Sequence, residues 1–411
     1  MRNGVPPLLR HNVGFRRFWC GQTASLAGDQ IGHIALPLVG VLALHAGPAG
    51  MGVLTAAGWA PNLLLSLHAG AWVDRSGRPR EAMIAADIGR AALFVSVPVA
   101  WALGVLTFAQ LVAVAFAAGA LGAIASVAFG VLYGSLVHRD RLVEAGTLVN
   151  GSRAAAGVAG PSAGGLLVAV LGAPVAIIAD AASFLASAWW LRRIAIPPRE
   201  RPPETGGIGE GVRFIARSEV VRPILAATAT LNLFTFAISA LFVLYATRSL
   251  GVSPATLGIV LGAGAIGGVL GSVLTGRIVG RLGVGGAFAA GCVVFTAPLL
   301  LIPLAGGPTP SVLGMLFLAE FGAGFGVMML DISAGAILVA AVPEALRARM
   351  FGAYQAVNYG VRPLGALGGG ALGAAIGLAP TLWIAGIGAV ASVLWLVPSP
   401  VPRLRALPGS A

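Results

Sequence analysis

A chain of 411 residues that is 57% hydrophobic and only 10% charged, with a mean hydropathy of +0.92, carries more apolar surface than a soluble domain can bury. Its formal net charge of +12 comes from 26 arginines and no lysine set against 14 acids, and the arginines cluster at the ends of apolar runs. That placement reads as membrane topology, which excludes nucleic-acid affinity as the meaning of the charge.

A membrane helix needs about 20 mostly apolar residues. Taken in chain order, runs of that kind lie at 15–46, 51–73, 81–104, 107–136, 145–171 and 173–193, then at 222–249, 254–279, 285–305, 309–341, 349–375 and 379–399. They are apolar all round and rich in Gly and Ala, without the alternation of barrel strands, so they are expected to be helices. The first run is too long for a cleavable leader and lacks a small-residue cleavage site, so it is expected to stay as the first span. Cys20 and Cys292 lie in different halves and provide neither a disulfide framework nor metal-ligand spacing.

Between the second and third runs stands the charged loop GAWVDRSGRPR, Gly70 to Arg80, and a worn copy, GRIVGRLG, begins at Gly276. The offset, 276 − 70 = 206, is close to half of 411, as a tandem duplication requires. The fifth and eleventh runs repeat as well: Gly160, Gly164 and Gly165 precede Gly365, Gly369 and Gly370 by 205. The proline-rich stretch IPPRERPPETGG separates the copies and reads as a tether. The expected organisation is a six-helix half at 1–193, a central linker at 194–221, a second six-helix half at 222–399 and a tail at 400–411. The fold class is all-α, polytopic, with about twelve spans in two pseudo-symmetric bundles. Against these spans, 22 arginines fall on one side and Arg248 alone on the other, while Arg90, Arg153 and Arg362 lie within helices. Both termini and the linker are therefore expected to be cytoplasmic.

Ionisable groups inside a membrane are costly and mark sites or partners. Asp29, in SLAGDQIGH beside Gln30 and His33, is the leading candidate for a proton carrier, its alternative being a carboxylate satisfied by a neighbouring helix. Asp87 and Arg90, three apart, read as a structural pair. Asp180, Glu320 and Asp331 are further proton-coupling candidates; the last two lie 11 apart, about three turns, and could address one cavity. Arg153 and Arg362 could counter these acids or contact an anionic substrate. Phe234, Tyr354 and Asn358 would suit a cavity for bulky amphipathic molecules, with ordinary packing as the alternative.

Two patterns are decoys. G-x-S-x-G around Ser162 lacks a strand-to-helix turn with His and acid partners. Gly262, Gly264 and Gly267 form G-x-G-x-x-G, but no acid follows between Glu219 and Glu320, and without lysine there is no Walker motif. No enzyme, no cofactor and no metal site is expected, and a proton gradient is left as the energy source.

In the first loop, Gly70, Asp74, Arg75, Gly77, Arg78 and Arg80 match the signature between the second and third helices of the major facilitator superfamily, which the chain resembles over essentially its whole length. Pro79 is a departure from it. The resemblance implies that this cluster latches the cytoplasmic side shut, with Arg139 as a partner for Asp74. Gly280 stands where Asp74 would recur, so the second latch is expected to be weak. Gly157, Gly160, Pro161, Gly164 and Gly165 resemble the glycine-proline motif of exporters that exchange substrate for protons, with helix packing as the bland alternative. Asp180, opening DAASF, resembles a position common in the macrolide-efflux and enterobactin-exporter branch. The implied activity is proton-coupled efflux of drugs, macrolides or siderophores by alternating access, in the cell membrane, with substrate, protons and lipid as partners and a monomer as the working unit. A proton-coupled nutrient importer and a non-transporting sensor or scaffold are the competing expectations.

Overall fold

The computed structural model describes residues 6–195 and 209–406, with side chains described except at 66–75, 139, 345 and 348. Among the described residues the regular elements are helices: α1 (Pro7–His11), α2 (Val13–Leu38), α3 (Pro48–Ser76), α4 (Pro79–Ala102), α5 (Phe108–Leu136), α6 (Leu142–Leu171) and α7 (Ala173–Arg192). Then follow α8 (Gly209–Arg217), α9 (Val221–Leu244), α10 (Pro254–Thr296), α11 (Leu301–Leu304), α12 (Thr309–Ala341), α13 (Glu344–Ile376) and α14 (Leu378–Ala391). Local chemistry sets their ends. Proline opens α3, α4 and α10, where the missing N–H costs nothing. Asn12 caps α2 by accepting the Phe15 N–H at 2.8 Å, and Thr107 caps α5 by accepting that of Gln110 at 3.2 Å.

Nine stretches among the described residues are long and apolar enough to cross a membrane. One of them, Pro254–Leu304, is two spans, because Gly283 breaks the helix with a φ of 79°. There a side chain would also collide with the backbone of Leu404 and Arg405, so glycine is required twice over. Adding α3 and α13, of 29 and 33 residues, recovers the twelve expected spans.

The duplication is written into the backbone. Eight described residues have positive φ, and all eight pair across the halves: His45 with Gly251, Gly77 with Gly283, Gly104 with Gly307, and Gly172 with Gly377, at separations of 206, 206, 203 and 205. One-turn π-helices close α2 at Val39–Ala43 and α9 at Tyr245–Ser249, again 206 apart. Turns and irregularities that sequence identity no longer reports have kept their places.

Two compact units contain these helices. The first comprises 1–45, 57–203 and 254–258, and the second 46–56, 204–253 and 259–411. The core of the first is built on Phe15, Phe18, Met83, Leu132 and Leu191, with Phe129 and Tyr133 stacked beside it. That of the second is built on Ile224, Phe288, Ile337 and Met350.

The proline-rich stretch expected to be a tether lies outside the described residues, and the described part of the linker that follows it is helical. Within it GEGVRFIAR folds as α8, which buries Ile215 in the second core and pairs Glu210 with Arg349 of α13. Phe214 and Ile215 face that core while Val212 stays exposed, so the helix docks by one side. Gly211 permits the approach, since a Cβ there would strike the Arg349 carbonyl. In the first unit α1 does the same: Leu8 and Leu9 are buried, and the Leu8 N–H donates to Glu144 of α6 at 2.8 Å. Glu144 and Arg349 are 205 apart, so each unit has a short helix tied to the start of its own fifth span.

Candidate functional site

In the first unit α2, α4 and α7 converge on a cluster of charged groups. Arg90 of α4 donates through Nη2 to Asp87 at 2.8 Å and through Nη1 to Asp29 of α2 at 3.4 Å. Its guanidinium lies over the Phe184 ring, 3.9 Å from the centroid, and Phe94 supports that ring at 5.8 Å. Asp180 enters from α7. Its carboxylate sits against Gly28 and Gly32, one residue before and three after Asp29, and a Cβ at Gly32 would collide with Oδ2. Ser183 donates to the Asp180 carbonyl at 2.7 Å and approaches Oδ1 at 3.4 Å.

Burial distinguishes the three acids. Asp180 is 1% exposed and the Asp87 side chain 3%, whereas the Asp29 side chain keeps 37%. Asp29 is thus the least covered of the three, with His33 exposed and within electrostatic reach one turn on. Three carboxyl groups face one guanidinium. Full ionisation would leave two negative charges uncompensated by that guanidinium.

The glycine-proline motif supports this cluster from behind. Gly160 lies against Gln30 and Gly164 against the Ile31 Cα, so α6 approaches α2 on both sides of the residues next to Asp29. Gly165 faces Pro254 and Gly258, which belong to the same unit. Gly157 and Pro161 are buried along the same helix, while Arg153 is exposed on it.

In the second unit α9 and α13 are joined by a polar ladder with rungs one helical turn apart. Thr228 and the Tyr354 hydroxyl meet at 3.0 Å, Asn232 donates to Asn358 at 3.0 Å, and Arg362 Nε donates to Asn232 at 3.1 Å. The Arg362 guanidinium also lies over Tyr359 at 4.5 Å and Phe236 at 5.0 Å. Thr228 repeats Thr23, 205 earlier, which donates to Ser152 of α6 at 2.9 Å.

The remaining candidates are placed as follows. The Phe234 ring lies against Gly388 of α14, with the residue left partly exposed. Tyr354 joins the second core through its ring and spends its hydroxyl on Thr228. Glu320 and Asp331 have different neighbours: Glu320 lies against Gly264 of α10, and Asp331 is within electrostatic reach of Arg362 of α13. Asp29 and Arg90 pair across helices, a contact 61 residues apart that neither residue's local sequence signals. Asn232 and Thr228 were also missed, although two polar residues four apart in an apolar span are the visible trace of such a ladder.

The loop motif is described in part. Gly77 makes its turn with a φ of 61°, Arg78 is exposed, and Arg80 donates to the Ile194 carbonyl at 2.6 Å and to Glu81 at 2.7 Å. The side chains of Gly70, Asp74, Arg75 and Arg139 lie outside those described, and with them the expected Asp74–Arg139 pairing. Next to Arg139 the exposed Asp140 carboxyl is held below the usual carboxylate range, chiefly by its hydrogen bond with His138.

Comparison with known proteins places this geometry. The fold matches transporters at low sequence identity: the nucleoside transporter NupG, with a TM-score of 0.74, 15% identity and coverage of 92% of this chain and 97% of that one. A bacterial homologue of the iron transporter ferroportin in its inward-facing state gives 0.73 at 17% identity, covering 95% of this chain and all of that one. The multidrug efflux pump Tap of Mycobacterium tuberculosis, like that of Mycobacterium bovis, is 28% identical over 240 residues, covering 53% of this chain and 52% of the relative. The chain thus spans about half the length of the curated relatives it matches. The model of the transmembrane secretion effector family matches residues 4–409, and with a helical architecture shared with major facilitator transporters, the chain belongs to that family.

Proposed function

We propose that this transporter is a proton-coupled exporter of hydrophobic or amphipathic small molecules, seated in the cytoplasmic membrane with both termini and the central linker on the cytoplasmic side. The observation that carries the reading is the Asp29–Arg90–Asp87 contact with Asp180 beside it: several acids, one cation, and a single carboxyl left partly open. Such a group can take a proton when access is from one side and lose it when access is from the other, as alternating access requires. Substrate binding that favours one state then draws the proton across in the opposite direction. The arginine distribution supports the orientation, and the likeness to a multidrug efflux pump supports the direction and the substrate class.

The test is proton movement in inside-out vesicles acidified in the lumen, followed with a pH-sensitive dye while macrolides, lipophilic dyes and siderophores are added. Proton release on addition of a substrate, lost in Asp29→Asn, is the expected result. Proton flow in the same direction as substrate identifies an importer. A folded, inserted protein that moves no member of the panel overturns the export reading.

A further inference from the structure

Helix α7 packs on α2 and α4 and leaves its remaining side open. On that side Ile178, Leu185 and Trp189 are exposed at helical spacing, an apolar stripe about 16 Å long at the usual rise. It ends on Arg192 and Arg193, both exposed. In a membrane span such a stripe faces acyl chains, so the two cations stand where those chains meet their headgroups.

The last turn of α7 is built to present charge at that depth. The Arg193 guanidinium lies over the Trp189 ring, 3.5 Å from the centroid, and Trp190 meets that ring edge-on at 4.9 Å. Trp190 is seated on α2 at Gly21, where a Cβ would stand 3.2 Å from the tryptophan Cβ. A helix C-terminus ordinarily repels an anion through its unsatisfied carbonyls. Here Arg17 of α2 donates to the Arg193 carbonyl, and Arg80 of α4 donates to that of Ile194 at 2.6 Å. Four guanidiniums thus gather at this end, and among the described residues the one carboxylate paired with any of them is Glu81, on Arg80 at 2.7 Å. Among the described residues the Arg192 and Arg193 side chains make no hydrogen bond and no ion pair, which leaves their N–H groups for a ligand. Topology asks for positive charge near this end, but not for an indole under the guanidinium or for covered carbonyls.

We propose that the end of α7 binds an anionic glycerophospholipid, its phosphate held by Arg192 and Arg193 and an acyl chain laid along Leu185 and Ile178. The leaflet is the inner one under the orientation proposed above. A zwitterionic headgroup brings its own cation into this positive corner and is disfavoured, and a soluble phosphate compound gains nothing from the apolar stripe. The site needs the chain seated in a membrane and is independent of what the chain transports.

The experiment is native mass spectrometry of the purified full-length chain titrated with phosphatidylglycerol or phosphatidylcholine. Phosphatidylglycerol is expected to bind at least fivefold more tightly. Arg192→Gln with Arg193→Gln is expected to weaken it at least fivefold, and Trp189→Leu at least threefold, with phosphatidylcholine within twofold in each. Arg213→Gln with Arg217→Gln removes the same charge from α8 and is expected to leave both lipids within twofold. A readout on the unsubstituted chain guards against misfolding: phosphatidylglycerol is expected to slow modification of Arg193 by phenylglyoxal at least threefold and leave that of Arg217 unchanged. Inorganic phosphate in excess is expected not to displace the lipid. Equal affinity for the two lipids, equal losses from the two arginine pairs, no protection of Arg193, or displacement by inorganic phosphate each overturns the assignment.

Discussion

Arg90 reaches Asp29 at 3.4 Å across the gap between the third and first spans, and the pair couples a buried charge network to a half-open carboxyl. The two ends of that contact are expected to respond differently to substitution. Arg90→Ala leaves Asp87 and Asp180 buried without their cation and should cost about 3–5 kcal/mol, enough to lose most folded protein. Asp29→Asn removes a charge from a partly open position and should cost no more than about 1 kcal/mol while abolishing substrate-driven proton flux. Thermal unfolding in detergent, measured beside vesicle flux, checks both. Equal destabilisation by the two substitutions would reduce the cluster to a structural role.

Asp180 makes a second demand, on the glycines of α2. Gly32→Ala places a methyl group into its carboxylate, and overpacking of this kind costs about 1–3 kcal/mol. Gly130→Ala on α5 is the control, because a Cβ there has no neighbour within 4 Å and the change should be neutral or stabilising by up to about 1 kcal/mol. The difference in melting temperature between the two variants reads the contact directly.

What was legible in the chain beforehand follows the range of each interaction. Asp87 and Arg90 are three apart, so one helix turn brings them together and the sequence shows the pair. Asp29 meets Arg90 across 61 residues, and Asp180 meets Gly32 across 148; only the packing of three helices makes those contacts. The duplication was visible because its copied glycines stayed in register, and the positive-φ residues show why: turns tolerate few replacements. Phe234 was the harder case, because an aromatic residue in a span reads the same whether it faces a cavity or, as its ring does here, a glycine on the next helix.

The docked helix α8 should depend more on fit than on charge. Glu210→Ala removes one side of an exposed ion pair, worth under about 1 kcal/mol, and should leave α8 in place. Gly211→Ala forces α8 away from the Arg349 carbonyl and withdraws Ile215 from the core. Tryptic cleavage after Arg213 and Arg217 in the native protein is expected to accelerate at least tenfold in Gly211→Ala and less than twofold in Glu210→Ala. The reverse order would make the ion pair the anchor.

The polar ladder between α9 and α13 has a central rung, and its energetics should reveal it. Asn232 accepts from Arg362 and donates to Asn358, whereas the Thr228 hydroxyl donates back to the Ile224 carbonyl at 2.9 Å and meets the Tyr354 hydroxyl at the margin of the core. Asn232→Ala leaves a guanidinium N–H and an amide oxygen without that partner, at about 1–3 kcal/mol for each buried group so deprived. Thr228→Val keeps the shape and leaves one hydroxyl to find another acceptor, so it should cost about 1 kcal/mol. The pair Asn232→Ala and Asn358→Ala should be non-additive by about 0.5–3 kcal/mol, because the second substitution removes the group the first had stranded. Chemical unfolding of the four proteins of that cycle gives the coupling, and strict additivity would mean that the rungs stand independently. If the ladder also holds Arg362 over Tyr359, Asn232→Ala should release the guanidinium and change Tyr359 fluorescence, whereas Thr228→Val should not.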